Sequence, residues 1–370
     1  MKLCLINNFA QHYRTSIFCR IDEEFDCDFY FGDWTGGIKL MDYSLLKGPV
    51  RQVHTRRLGG GWYYQSGIPF LLWKKYDTYI LFAESRGLST WLFLLLAKFF
   101  PRKRVILWSH GWYGKETPGE ARMKRGMFRL PNGGTLLYGN YARDLMIREG
   151  LDPDKLYVIH NSLAYSKQVE VRKGLAPNPV YADRFGNTDP NLIFVGRLTE
   201  VKKLDQILKA MAASRDKGHS YNLTLIGGGV KEMSLRQCAE ELGLQDRVWF
   251  YGPCYDENTI GEMMFNADLC VSPGNVGLTA MHAMVFGTPV VTHDDFPHQM
   301  PEFEAIHDGV TGKFFKAGDV ESLSATVDAW FASSPDREKV RQDCMAEIDA
   351  FWTPDFQMEV LKKVLYEKSR

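Results

Sequence analysis

Short apolar runs alternate with helix-patterned stretches along most of the chain, and this alternation constrains the fold more than any other feature. The runs fall at residues 2–6, 27–31, 79–82, 105–108, 135–137 and 156–159, then at 192–195, 223–226, 248–251, 269–271 and 290–292. Helical patterns sit between them, notably at 88–100, 141–149, 204–217, 231–242, 256–265 and 278–286. Strands that read as continuous apolar runs are buried on both faces, so the expectation is an α/β chain of parallel sheets covered by helices. A length of 370 residues allows two or three domains. With 45% apolar and 24% charged residues, global disorder is excluded.

The alternation breaks once. Residues 164–190 are poor in pattern and contain Pro177, Asn178, Pro179, Gly186, Asn187 and Pro190, a linker composition. The motif series restarts at Asn191. The expected division is a Rossmann-like domain over residues 1–175, a second over 176–352, and a terminal helix over 353–370 that crosses back to the first domain. The two sheets are expected to face each other across a cleft.

Charge is balanced overall, 45 Lys and Arg against 45 Asp and Glu, and gives no sign of a nucleic-acid partner. Its placement is uneven. Residues 51–150 hold 17 basic and 6 acidic side chains, which suggests either an anionic partner for the first half or a solvated basic face. The seven cysteines are odd in number and form no CxxC pair, against a disulfide framework or zinc ribbon and in keeping with a reducing cytoplasm. The opening MKLCLINNFAQHYR does not read as a secretory signal. The greasiest stretch, 88–100, falls short of the roughly 20 apolar residues a bilayer span needs. It reads first as a helix buried on a sheet, while Trp91, Phe99 and Phe100 beside Arg102, Lys103 and Arg104 also permit peripheral contact at a membrane.

The strongest segment for chemistry is Phe194-Val195-Gly196-Arg197-Leu198-Thr199-Glu200-Val201-Lys202-Lys203. An apolar strand ends in Gly-Arg, and Lys202 follows near the next helix start. A glycine turn at a strand's carboxyl end places two cations where open α/β sheets bind ligands. Arg offers a planar fork to phosphate oxygens and Lys a point charge. On its own, the same pattern also describes a surface turn whose cations see only solvent. A second segment, from Val271 to Val290, runs strand, glycine-containing loop, helix start near Gly277, then Gly287-Thr288-Pro289 and another strand. Backbone amides at such a start accept phosphate. Two phosphate-competent turns without a Walker sequence point to a nucleotide-diphosphate ligand.

The ordered set FVGRLTEVKKLD, LTLIGGG, VWFYG, ADLCVSPGNVGLTAMHAMVFGTPVV and GVTGKFF resembles the donor domain of retaining glycosyltransferases of the GT-B fold, family 4, over residues 191–315. The first half resembles the family more weakly, in its first strand, in Ser109-His110-Gly111 and in Val158-Ile159-His160-Asn161-Ser162. The resemblance implies a metal-independent, hexosyltransferase-type enzyme without a cofactor, in which a nucleotide-diphosphate sugar is co-substrate. It implies that Arg197 and Lys202, with Gly196, bind the diphosphate, and that the amides around Gly277, Leu278 and Thr279 receive the phosphates. His110 matches the acceptor-domain histidine facing the donor sugar, and Glu304 the glutamate preceding the turn Asp308-Gly309-Val310-Thr311-Gly312.

One departure stands out. The family carries two glutamates with seven residues between them, and the matching positions here are Gly274 and His282. Asn275 and His282 are the side chains placed to supply polar contacts to the donor instead. Asn8, Tyr13 and Arg14, after the first strand, are candidates for acceptor contact. The expected function is transfer of a sugar with retention to a glycan acceptor, in bacterial surface-polysaccharide or glycan assembly. A lipid-diphosphate-linked acceptor at the inner face of the cell membrane is compatible with the basic first half. Two rival readings are a non-catalytic sugar-nucleotide-binding partner and a sugar-nucleotide epimerase of the same fold. Tempting metal signals, His293-Asp294-Asp295 with His298 and the DxD of Asp26-Cys27-Asp28, are better read as pocket lining and strand entrance, so no metal ligand is assigned.

Overall fold

The computed structural model describes residues 1–366 and divides the chain into two compact units. The first comprises Met1–Ala164 together with the terminal helix beginning after Thr353; the second is Tyr165–Trp352.

In the first unit, β1 (Lys2–Asn7), β2 (Asp26–Gly32) and β3 (Val50–Val53) precede a small antiparallel hairpin of β4 (Thr55–Gly59) and β5 (Trp62–Gln65). β6 (Thr78–Phe82), β7 (Arg104–Ser109), β8 (Thr135–Leu137) and β9 (Leu156–Val158) follow. The main sheet is parallel throughout, in the order β3-β2-β1-β6-β7-β8-β9. Both faces are covered, which is why β1 is apolar on successive residues. Leu3 and Leu5 join one core with Phe18, Phe29 and the terminal-helix residues Met358 and Leu361, while Cys4 and Ile6 join the other with Leu72, Tyr79 and Phe93. The helix Pro354–Tyr366 is fastened to this unit by polar contacts as well. Buried Gln357 donates to the His160 carbonyl at 2.9 Å and accepts from Ser162 Oγ at 2.6 Å.

In the second unit, β10 (Asn191–Val195), β11 (Asn222–Ile226), β12 (Val248–Gly252), β13 (Leu269–Ser272), β14 (Val290–His293) and β15 (Gly312–Phe315) form a parallel sheet ordered β12-β11-β10-β13-β14-β15. In each unit the strand order reverses beside the first strand, between β1 and β6 and between β10 and β13. The carboxyl ends at such a reversal open a crevice because the following connections leave in opposite directions.

The structure differs from the sequence pattern in several places. Four strands, β3, β4, β5 and β15, lie outside the apolar runs, each short and only partly buried. Residues 164–190 hold two helices, Tyr165–Lys173 and Val180–Phe185. The first is polar on nearly every side, with Gln168 its one buried residue, so it carries no apolar stripe. Tertiary contacts hold it. Arg172 pairs with Asp349 at 2.8 Å and donates to the Val285 carbonyl at 3.2 Å, while Val171 packs so closely on Gly261 that a Cβ there would lie 2.8 Å from it. Hence the division falls after Ala164 rather than after residue 175. The helix Pro118–Phe128 is set by a reciprocal capping box between Thr117 and Glu120. The apolar helix starting at Leu88 ends at Ala97.

Candidate active site

The turn after β10 carries the two cations. Gly196 and Gly227 close on each other: a Cβ on Gly227 would lie 1.9 Å from the Gly196 carbonyl oxygen, and one on Gly229 2.3 Å from that of Leu198. The glycines of Gly227-Gly228-Gly229 therefore let the ends of β10 and β11 run side by side. Arg197 leaves this turn exposed; its carbonyl accepts from the Thr199 amide at 3.0 Å, and its guanidinium forms no ion pair or hydrogen bond among the described residues. Lys202 is half-buried on the short turn Glu200–Lys202. Its ammonium donates to the Asn275 carbonyl at 2.6 Å, to Asn275 Oδ1 at 3.1 Å and to the Val276 carbonyl at 3.4 Å. Burial pushes Lys202 down to about 8; the Glu302 carboxylate opposes this shift and the Arg197 charge adds to it. A lysine at that value is still mainly charged at neutral pH. Asn275, expected to touch a donor, thus holds Lys202.

The loop after β13 meets the same turn. Gly277 takes φ +53 and ψ −148, a conformation open to glycine, and a side chain there would reach within 3.9 Å of Lys202 Nζ. The helix Leu278–Met284 starts at Leu278, and Thr279 Oγ1 ties it to the Val195 carbonyl at 3.0 Å. The structure therefore brings together Gly196, Arg197, Lys202, Asn275, Gly277, Leu278 and Thr279 at the reversal of the second sheet.

The two positions without glutamate have different surroundings. At Gly274 any side chain would collide, with a Cβ 2.0 Å from the Val201 carbonyl oxygen and 2.7 Å from Lys202 Cα; its amide bonds the Lys202 carbonyl at 3.0 Å. His282 points to another helix, Glu257–Asn266, where its Nε2 lies 3.2 Å from Glu257 Oε2. Burial raises the Glu257 carboxyl, but the His282 hydrogen bond and charge and a Gln168 hydrogen bond outweigh it and hold Glu257 below its ordinary range.

Three residues escaped the sequence pattern. Glu302 is buried on the turn Pro301–Ala305, and its charge acts on Lys202, whereas Glu304 of the same turn is half-buried. Gln299 accepts from the Val276 amide at 2.8 Å and donates to Thr292 Oγ1 at 2.8 Å, bracing the loop from behind. Glu257 is the third. None carries a local signal, since each matters through a partner distant in sequence.

In the first unit, His110 follows β7. Gly111, at φ +68, has no room for a Cβ beside Leu137 and Met146. Lys124 braces this turn, donating to the Gly111 carbonyl at 2.8 Å and to Glu116 at 2.6 Å. The His110 ring sits 4.6 Å from that of Tyr138 and stacks on Tyr113 at 6.0 Å, and its Nδ1 is buried without a hydrogen bond. Burial pushes its titration down to about 4, and the charges of Arg14 and Lys124 add to this. At neutral pH it is an uncharged imidazole. It borders a pocket of about 380 Å³ that also takes in Glu84, Arg86, Tyr113, Lys115 and Phe128.

The loop after β1 divides its roles. Asn8 Oδ1 accepts from the Phe9 amide at 3.0 Å and from Gln11 at 3.1 Å, so it shapes the loop. Tyr13 is half-buried, with His12 edge-on at 5.7 Å. Arg14 is buried under aromatic rings. The DxD carboxylates are structural. Asp26 opens β2, and Asp28 accepts from Tyr76 at 2.6 Å and pairs with Lys2 at 3.2 Å.

Comparison with known proteins bears on this site. Residues 182–344 match the family model described as Glycosyl transferases group 1. The putative glycosyltransferase EpsD of Bacillus subtilis (strain 168) is 29% identical over 147 residues, 39% of this chain and 37% of that protein. The chain spans about half or less of the length of the curated relatives it matches. Among solved structures, a lipopolysaccharide outer core galactosyltransferase, WaaB, in its apo form aligns with a TM-score of 0.73 at 14% identity, covering 99% of both chains. Anabaena Alr3699/HepE in complex with UDP aligns with a TM-score of 0.72 at 15% identity, covering 99% of this chain and all of the other. These likenesses establish the two-unit Rossmann-like α/β fold.

Proposed function

We propose, taking the match of residues 182–344 to group 1 glycosyltransferases as the premise, that the chain transfers a sugar from a nucleotide diphosphate to a hydroxyl of a glycan acceptor. The observation that carries this reading is that the Gly274–Thr279 loop holds Lys202 at the sheet reversal, near enough to the exposed Arg197 for the two charges to act on each other. There the exposed Arg197 fork and the Lys202 ammonium neutralise the diphosphate as it departs, a role a divalent ion fills in other transferases. The bond from the anomeric carbon to the phosphate oxygen breaks, the bond to the acceptor oxygen forms on the same face, and the phosphate oxygen takes the acceptor's proton. Configuration is retained. An uncharged His110 suits a place beside developing positive charge on the sugar, where an imidazolium would repel it. UDP, bound in the HepE structure, is the natural first probe of the nucleoside.

A membrane-facing role for the first unit is favoured by one surface. Phe70, Trp73 and Phe99 are 68%, 60% and 80% exposed, and Leu88, Leu92 and Leu95 lie exposed along one helix beside them. Trp73 contacts Phe70 at 6.1 Å and Phe100 at 5.2 Å, so the patch is continuous. Lys74, Lys75, Lys98 and Arg102 rim it, the arrangement that anionic lipid attracts. Among the described residues no helix is long and apolar enough to cross a membrane. A surface-glycan acceptor carried on a lipid diphosphate fits this face.

The test is calorimetric titration with UDP and other nucleoside diphosphates beside a transfer assay. Arg197→Ala and Lys202→Ala are each expected to lower turnover about tenfold or more while the fold stays intact. Unchanged kinetics in both removes the assignment. His110→Ala is expected to reduce kcat more than UDP affinity. Nucleotide binding with no turnover would favour the non-catalytic partner, and conversion of the donor without acceptor the epimerase.

A further inference from the structure

Glu84 stands two residues past the end of β6 and lines the pocket of about 380 Å³ beside His110. Its backbone is held from several sides. The Gly87 amide donates to the Glu84 carbonyl at 3.0 Å, and Trp91 Nε1 to the Ser85 carbonyl at 2.8 Å. Ser109 Oγ donates to the Ala83 carbonyl at 2.7 Å and accepts from the Gly111 amide at 3.1 Å. Ser109 therefore ties the loop after β6 to the loop after β7, and fixes the backbone of Glu84 relative to that of His110.

Most charges around this pocket are settled among themselves. Arg86 pairs with Glu120 at 3.1 Å and donates to the Gly60 carbonyl at 3.3 Å. Lys124 pairs with Glu116 at 2.6 Å, and Glu116 also accepts from the Tyr113 and Gly114 amides at 2.7 and 2.9 Å. Lys115 keeps its ammonium over the Tyr113 ring at 5.4 Å. The Glu84 carboxylate is different. It forms no ion pair or hydrogen bond among the described residues, although basic side chains outnumber acidic ones 17 to 6 between residues 51 and 150. The side chain is exposed, so a ligand can reach it, yet the pocket walls remove enough water to raise its carboxyl above the ordinary range.

A carboxylate so placed has two oxygens open to donors and no proton of its own to give. Adjacent hydroxyls of a sugar supply such donors in pairs. The stacked rings of Tyr113 and His110, with Met127 and Phe128, offer the apolar surface that the C–H face of a sugar covers. The volume lies at the small end of the roughly 300–1,000 Å³ of small-molecule sites. An anionic ligand would instead be repelled, most strongly where the walls displace water.

We infer that Glu84 is a specificity-determining residue for the acceptor: its carboxylate accepts hydroxyls of an uncharged sugar unit seated in this pocket and rejects a unit that carries a carboxylate. Sugar binding rests on the pocket and Glu84, whereas naming the occupant as the acceptor rests on the transfer reading above. The accepting unit is then a neutral hexose or N-acetylhexosamine rather than a uronic acid.

The full chain, 13C-labelled at its methionine methyls, reports on this pocket through Met127, whose resonance is assigned by its loss in Met127→Leu. The probes are the methyl glycosides of glucose, galactose, mannose and N-acetylglucosamine, beside those of the corresponding uronic acids. At least one neutral glycoside is expected to shift the Met127 methyl saturably, with its uronate partner binding about tenfold more weakly or less. In Glu84→Gln, which keeps the shape and removes the charge, the neutral glycoside should lose about tenfold in affinity and the gap to its uronate should close. A silent Met127 with every neutral glycoside, or a uronate bound as tightly as its neutral partner, overturns the inference. Both readings need only the wild-type side chain at Glu84, so a poorly folding variant does not obscure them. UDP calorimetry on the same samples separates this inference from the transfer reading. Normal UDP binding with a silent Met127 sinks the sugar pocket alone. A neutral-selective Met127 response without binding of any nucleoside diphosphate supports the pocket and sinks the transfer reading.

Discussion

The two units carry the same strand order around their reversal points but furnish the end of the first strand differently. In the second unit the crevice is built from backbone. Gly196, Gly227, Gly229 and Gly274 stand where neighbouring carbonyls leave no space for a Cβ or only glycine sits easily, and Lys202 is held by loop carbonyls. In the first unit the corresponding loop is built from side chains, with Asn7 and Asn8 tying it to Gln11 and Arg14 buried under Trp108 and Tyr138. One topology therefore provides two crevices of different chemistry. Backbone walls suit a ligand gripped by its phosphates, while side-chain walls can be exchanged to suit a variable partner.

The largest effect that would break this contrast is expected from Gly274→Glu, which restores the glutamate its resemblance lacks. The collision with the Val201 carbonyl should cost about 1–3 kcal/mol of stability in thermal melts and displace Lys202, weakening UDP binding. If the variant instead bound UDP more tightly with an unchanged melt, the closed backbone wall would be disproved. Next in size is a pH effect confined to the second unit. Lys202 is lowered to about 8, so its charge is lost as pH rises through that value. UDP affinity should fall toward tenfold per unit above pH 8, and Lys202→Gln should flatten the profile. Calorimetry showing constant affinity from pH 7 to 9.5 would remove Lys202 from the phosphate site. The smallest effect belongs to the first unit. Phe99→Ser should reduce partitioning to vesicles containing phosphatidylglycerol by roughly tenfold while leaving UDP binding unchanged. Equal partitioning to neutral and anionic vesicles, or none by either protein, would dispose of the membrane face.

His110 sharpens the contrast through its own titration. Its folded value of about 4 lies below the ordinary 6.5, so the unfolded chain binds the proton first. Its contribution to stability is present above pH 6.5 and is lost as pH falls toward 4. An NMR titration placing His110 near 6.5 would show that the ring is solvated.

Some of the site was legible because its signals are local. Gly196-Arg197 at a strand end and Lys202 five residues on needed only a strand, a turn and spacing. The same holds for the absent glutamates. What those absences mean was not legible. That Gly274 abuts Val201 depends on two connections from different strands meeting, and the His282–Glu257 pair joins two separate helices. Motif position marks Glu304, while Glu302 has no motif signal and is marked only by its burial and its charge acting on Lys202. The helix Tyr165–Lys173 escaped because tertiary contacts stabilise it without an apolar stripe.

By itself the sequence determined the α/β class, most of the strands and the cationic turn, all properties of neighbours along the chain. Only tertiary structure decided the order of strands, the aromatic cage around Arg14 and the partners of Lys202, His282 and Glu302. Those depend on which distant segments touch, and burial then sets the charge each side chain can hold.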